Sequence, residues 1–215
     1  MSHSTPASTP IIYDCTPPIT PDLAVFPGDT RPTREVLLDL EHGAPVTLST
    51  LRSTVHLGAH VDGPNHYGIG GRSIDQQPLD LYIGPCELID VEVDHGERVR
   101  AESLPAAIHA PRVLLRTGTF PNPEAWNSDF AGLTPDLVDD LAARGVRLLG
   151  VDTPSVDCED SKDLPAHAAC FRHDIAILEG LVLRDIPAGL YELIALPLPL
   201  VGFDGSPVRA ILRQM

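Results

Sequence analysis

Three observations in this 215-residue sequence predict a single α/β domain. A chain of this length can close one substantial hydrophobic core without dividing. A capped amphipathic helix lies between two short apolar runs that read as buried strands. No Pro/Ser-rich linker or internal repeat separates the periodic segments, so the 22 prolines and 17 glycines mark loops within one unit.

Residues 1–10 form a Ser/Thr/Pro-rich stretch that reads as a flexible tail, leaving 11–215 as the domain. Residues 33–40 and 46–55 have the β-branched or alternating composition of strands. The spacing over 74–82 predicts a helix or irregular turn, and 86–93 a buried strand. Residues 112–117 and 147–152 are core strands. Between them Thr134 is an N-cap, Pro135 occupies the first helical position, and Leu137, Val138 and Leu141 make the apolar stripe. Gly145 ends that helix.

The formal charge of −15 disfavours nucleic acid and anionic membrane as partners. No apolar run approaches the roughly 20 residues of a membrane-spanning helix, and no secretory h-region opens the chain, so the cytoplasm is the expected compartment. Cys15, Cys86, Cys158 and Cys170 are scattered without a Cys-x-x-Cys pair. They read as reduced thiols rather than a disulfide framework.

Chemistry concentrates in residues 56–66, where His56, His60, Asp62 and His66 fall within eleven positions. Imidazole and carboxylate are the donors that divalent ions take in open, hydrolytic sites. Gly58, Gly63 and Pro64 argue against a helix there. In an extended chain the four side chains share one parity, yet residues two apart lie roughly 6.6 Å from each other. Ligands that each sit about 2.0–2.2 Å from one ion need a tighter turn. The chain must therefore bend near Gly58 and Gly63.

This segment resembles the His-x-Gly-x-His-x-Asp-x-Pro-x-His signature of the metal-dependent cyclase-like hydrolases. The rest of the chain beyond the first ten residues is similar to their bacterial kynurenine formamidase branch. The supporting blocks are Pro27-Gly28-Asp29-Thr30, Val113-Leu114-Leu115-Arg116-Thr117, and residues 150–157, 191–198 and 205–210. The resemblance implies a swivelling β/β/α-type fold with a mixed β core and few helices, assembled as a homodimer. It implies His56, His60, Asp62, His167 and Glu179 as ligands of two divalent ions, zinc first, with manganese or cobalt accommodated. Asp62 would bridge the ions and His66 would be the catalytic acid/base. The implied reaction is hydrolysis of an aryl formamide, N-formyl-L-kynurenine, to L-kynurenine and formate.

His167 and Glu179 are twelve residues apart, which on one continuous helix is about 18 Å. The chain must change element between them, from a short helix over 168–172 to a strand over 175–178. At Phe26 the sequence departs from the branch, which usually carries Trp before Pro-Gly-Asp. Phe26 is then either a substrate-binding ring or ordinary packing before a turn. Hydrolysis of another aryl formamide, an isatin-like cyclic amide or a lactone is the alternative within the same chemistry. A non-catalytic metal-binding protein is the alternative outside it.

Overall fold

The computed structural model describes residues 10–215, so the tail expectation lies almost wholly outside the described residues. In chain order the strands and helices are β1 (Ile12–Asp14), β2 (Thr33–Leu38), β3 (Leu48–Arg52), β4 (His60–Asp62), β5 (Ile83–Asp90), β6 (Arg98–Val99), β7 (Arg112–Arg116) and β8 (Gly132–Leu133). Then follow α1 (Pro135–Ala143), β9 (Leu148–Val151), α2 (Pro165–His173), β10 (Ala176–Glu179), β11 (Gly189–Ile194), β12 (Gly205–Pro207) and β13 (Ile211–Gln214).

Nine strands form one mixed sheet in the order β1-β13-β11-β5-β7-β9-β10-β4-β12. Its centre, β5-β7-β9-β10, is parallel, because α1 and α2 carry the chain back between β7, β9 and β10. Parallel strands are covered on both faces, which is why Val113-Leu114-Leu115 and Ile177-Leu178 read as unbroken apolar runs. Val113, Leu115, Leu149, Val151 and Ile177 face α1 and α2, meeting Leu137, Val138, Leu141 and Ala169. Leu114, Leu148 and Leu178 point to the opposite face, into a second core with Val61, Tyr82, Leu193 and Leu212. This is the mixed, few-helix α/β fold the sequence predicts.

α1 begins as expected, with the Thr134 hydroxyl accepting the Leu137 N–H at 3.3 Å. Residues 74–82 resolve as two 3₁₀ turns, Ile74–Gln76 and Leu79–Leu81, divided at Pro78. The strand expected at 86–93 runs three residues earlier, over Ile83–Asp90. Pro85 is tolerated there because β7 joins the ladder only from Glu87, so residue 85 borders β11 alone. Strands β2 and β3 form an antiparallel hairpin separate from the main sheet, exposed along its length. All four cysteines are free thiols, three of them buried. No helix among the described residues is long and apolar enough to cross a membrane.

Candidate metal centre

The antiparallel register at the β10-β4-β12 edge places Glu179 opposite His60 and Asp62 opposite Gly205. Residues distant in sequence are thereby brought to one point by backbone pairing alone. Only His60 and Asp62 of the histidine segment lie in a strand; His56 and His66 sit in the irregular chain on either side. The parity of an extended strand therefore does not align the four. Bending of the chain does.

Gly58 supplies one bend, with φ +55° in the left-handed region. Its carbonyl accepts a hydrogen bond from His60 Nδ1 at 2.9 Å, which turns Nε2 toward Glu179 Oε2 at 3.2 Å. Gly180, also left-handed at φ +67°, packs against that same carbonyl, and a Cβ there would lie 2.1 Å from it. A side chain at 180 would displace the group that orients His60.

His167 lies in the first turn of α2, buried, and its orientation comes from Asp157. The Asp157 carboxylate accepts from His167 Nδ1 at 2.9 Å, from the backbone N–H groups of Ala166 and His167, and from Arg98 Nη1 at 2.7 Å. It does the work of an N-cap that Leu164, apolar and left-handed at φ 43°, cannot do. Burial disfavours the Asp157 charge, but these donors outweigh it and hold the carboxyl below its ordinary range.

Two groups of donor atoms share Asp62: His56, His60 and Asp62 in one, and Asp62, His167 and Glu179 in the other. Within each group the atoms lie within 4.8 Å of one another. His56 Nδ1 is 3.0 Å from Asp62 Oδ1, while His167 Nε2 is 3.5 Å from Asp62 Oδ2. Asp62 is buried, and its Oδ2 has no hydrogen-bond partner. Burial makes an unpaired carboxylate oxygen costly, and neither donor group contains a lysine or arginine to offset it. The residues present are of the types that bind divalent cations. In the protein without them, burial opposes charge on His56 and His167. Hydrogen bonds to Asp62, Asp157 and Asp204 outweigh it and push the imidazoles up to about 9 and about 10.

His66 belongs to neither group that shares Asp62, but with His56 and Asp204 it makes a third set of donor atoms within 4.8 Å of one another. Its ring stacks on His56 with centroids 4.2 Å apart, and Nδ1 lies 3.5 Å from Asp204 Oδ2. Asp204 also meets His56 Nε2 at 3.1 Å, so one carboxylate touches both a candidate ligand and the candidate acid/base. Burial is the largest influence on His66 and lowers its pKa, leaving the imidazole neutral at neutral pH.

His56, His60, His66, His167 and Glu179 line a cavity of about 710 Å³, which the buried Asp62 does not reach. Phe26, Phe120 and Trp126 line one wall, the Phe26 and Trp126 rings meeting edge to face at 5.3 Å. Trp126 donates its indole N–H to Glu159 Oε2 at 2.9 Å. Phe26 is 42% exposed and opens on the cavity, so it is not the buried packing residue that the sequence left as its other reading.

The sequence reading missed Asp157, Asp204, Arg98 and Trp126. Asp157 lies within a block that supports the resemblance, but nothing in its spacing ties it to His167. Asp204 is 148 residues from His56, and only the β12–β4 pairing brings it near.

The family model "Putative cyclase" matches residues 13–158. The chain belongs to the cyclase-like metal-dependent hydrolase family. Among solved structures, this chain is similar to a potential metal-dependent hydrolase with cyclase activity, at 28% identity and TM-score 0.83, over 96% of this chain and 99% of that one. It is similar to the predicted metal-dependent hydrolase from Bacillus stearothermophilus at 29% identity and TM-score 0.82, over 97% and 100% of the two chains. Isatin hydrolase A from Labrenzia aggregata, bound to benzyl benzoate, shares the fold at 24% identity and TM-score 0.78, over 95% and 94%.

Proposed function

We propose that this cyclase-family hydrolase cleaves an aryl formamide, with N-formyl-L-kynurenine as the substrate, yielding L-kynurenine and formate. The observation that carries the reading is one cavity whose lining joins four of the five candidate ligands, His56, His60, His167 and Glu179, to three aromatic rings, with the fifth, Asp62, buried behind them. An apolar pocket with a few convergent polar groups suits an aromatic substrate presenting one reactive amide. Its ring would lie along Phe26 and Trp126, with the formyl group toward His66.

Two divalent ions are part of the reading, zinc first, held by His56, His60, Asp62, His167 and Glu179. When bound they would polarise the formyl carbonyl and make water a better nucleophile at neutral pH. His66, neutral and open to the cavity, accepts a proton from the attacking water. It returns that proton to the departing aryl nitrogen, so amine and formate leave in balance. Asp204 holds the His66 ring in place for both transfers. Glu179 is kept from swinging into the cavity by the Val156 N–H, which donates to Oε1 at 2.7 Å.

A homodimer in the cytoplasm belongs to the same proposal. The β2–β3 hairpin supports the dimer, because Leu37, Leu38, Leu48 and Leu51 are exposed on strands that the main sheet does not cover. A second reading, hydrolysis of an isatin-like cyclic amide, is favoured by the isatin hydrolases among proteins of this fold. Zinc-loaded protein assayed in parallel against N-formylkynurenine, isatin and simple lactones separates the readings. Turnover of N-formylkynurenine well above the others is expected, and preference for isatin would replace the first reading with the second.

A further inference from the structure

Lys162 is the sole lysine of the chain, and it lines the catalytic cavity. Two other cations reach that cavity, and both are occupied. Arg116 bonds Asp90 and the carbonyls of Leu183 and Ile186, while Arg184 bonds the Pro121 carbonyl and lies 3.8 Å from Asp185. Among the described residues the Lys162 ammonium has no such partner.

The segment that carries Lys162 is held on both sides. Glu159 takes the Trp126 indole N–H, and the Ser161 hydroxyl accepts from Arg98 Nη2 at 3.1 Å. Arg98 in turn bonds Asp157, the residue that orients His167. The aromatic wall, the ammonium and the candidate metal centre are therefore spaced by one connected set of hydrogen bonds. With 15 basic against 30 acidic residues the chain offers few cations to a substrate carboxylate, which gains from a local one in its site. A lysine suits that task, being a point charge on a flexible stem that can follow a carboxylate without fixed geometry.

We propose that Lys162 is the anchor for a carboxylate on the substrate. The preferred substrate is then an aryl amide whose side chain carries a carboxylate rather than a cyclic amide without one. The proposal rests on the amide hydrolase reading above, since it uses the same cavity. It assigns to Lys162 the choice between the two substrate classes that the metal centre alone cannot separate.

Trp126 is the only tryptophan and lines the same cavity, so its fluorescence reports occupancy directly. The experiment titrates zinc-loaded wild-type, Lys162→Met and Lys162→Arg proteins with L-kynurenine and with ortho-aminoacetophenone, which has the same aryl ketone without the charged side chain. For L-kynurenine, Lys162→Met should raise the Kd about tenfold, the scale of one hydrogen bond to a charged group. Lys162→Arg should recover most of that loss, and the Kd of ortho-aminoacetophenone should be the same in all three proteins. The proposal is overturned if kynurenine binds wild type and Lys162→Met equally, if both ligands weaken in parallel, or if neither ligand quenches wild-type fluorescence saturably. Discrimination by Lys162 in a wild-type protein that hydrolyses no amide would sink the hydrolase reading and leave this one standing. Hydrolysis of N-formylkynurenine with the same KM in wild type and Lys162→Met would do the reverse.

Discussion

Replacing Asp157 by Ala should damage both the fold and the metal centre, although Asp157 belongs to neither donor group. Its carboxylate is fully buried and takes donors from Arg98, His167 Nδ1 and two backbone N–H groups at the start of α2. Removing it leaves a guanidinium and a buried imidazole facing empty space. Breaking a buried pair in this way costs roughly 3–5 kcal/mol. Arg98 retains bonds to the Leu133 carbonyl and Ser161 and is partly solvated, so the lower end applies, about 3 kcal/mol. At about 2–4 °C per kcal/mol for a chain of this size, the Tm of the metal-free protein should fall by about 6–12 °C. Asp157→Asn keeps the shape and one acceptor, so it should fold better while still freeing the His167 ring. Loss of such a carboxylate behind a ligand histidine typically weakens metal binding by about 10–100-fold. Chelator competition with zinc measures that loss, and thermal unfolding monitored by circular dichroism measures the first. Asp157→Asn protein that holds zinc as tightly as wild type would refute the claim that Asp157 orients His167 for a metal.

His66→Ala should keep its metal and lose about 10²–10⁴ in kcat, whereas His60→Ala should lose metal as well; metal analysis beside kinetics tells them apart, and loss of metal from His66→Ala would make His66 a ligand. Phe26→Ala should raise KM for an aryl formamide without changing metal content, and Phe26→Trp should keep or improve N-formylkynurenine hydrolysis. Unchanged kinetics in Phe26→Ala would remove Phe26 from the substrate wall. Anomalous scattering from zinc-soaked crystals should show two ions per chain flanking Asp62, and one ion at saturation would end the binuclear reading. In the metal-free protein, His56 and His167 are held up to about 9 and about 10 against an unfolded value near 6.5. Their contribution to stability is therefore complete below about pH 6.5 and lost as pH rises through about 9 to 10. Zinc must displace both protons at pH 7, so calorimetry in buffers of different ionisation enthalpy should show about two protons released, fewer as pH passes 9. Zinc uptake with no proton release would contradict that electrostatic account.

Much of this protein is determined locally. Thr134, Pro135 and Gly145 mark α1 because capping, a fixed φ and a left-handed stop act within a few residues, and the apolar runs at 113–115 and 148–151 are too short for helices and read as interior strands. The same holds for the need to bend at Gly58, which follows from ligand bond lengths against strand rise. Glu179, by contrast, is one carboxylate among 30 acidic residues, and only the β10–β4 register sets it against His60. Asp157 and Asp204 acquire partners through a helix start and a strand pairing that no spacing encodes. The exposed hairpin over 33–52 reads as ordinary strand composition, since β propensity does not say which sheet a strand will join. Periodicity and capping are properties of neighbours in the chain. The metal centre and the cavity above it are properties of strand register, which tertiary packing alone decides.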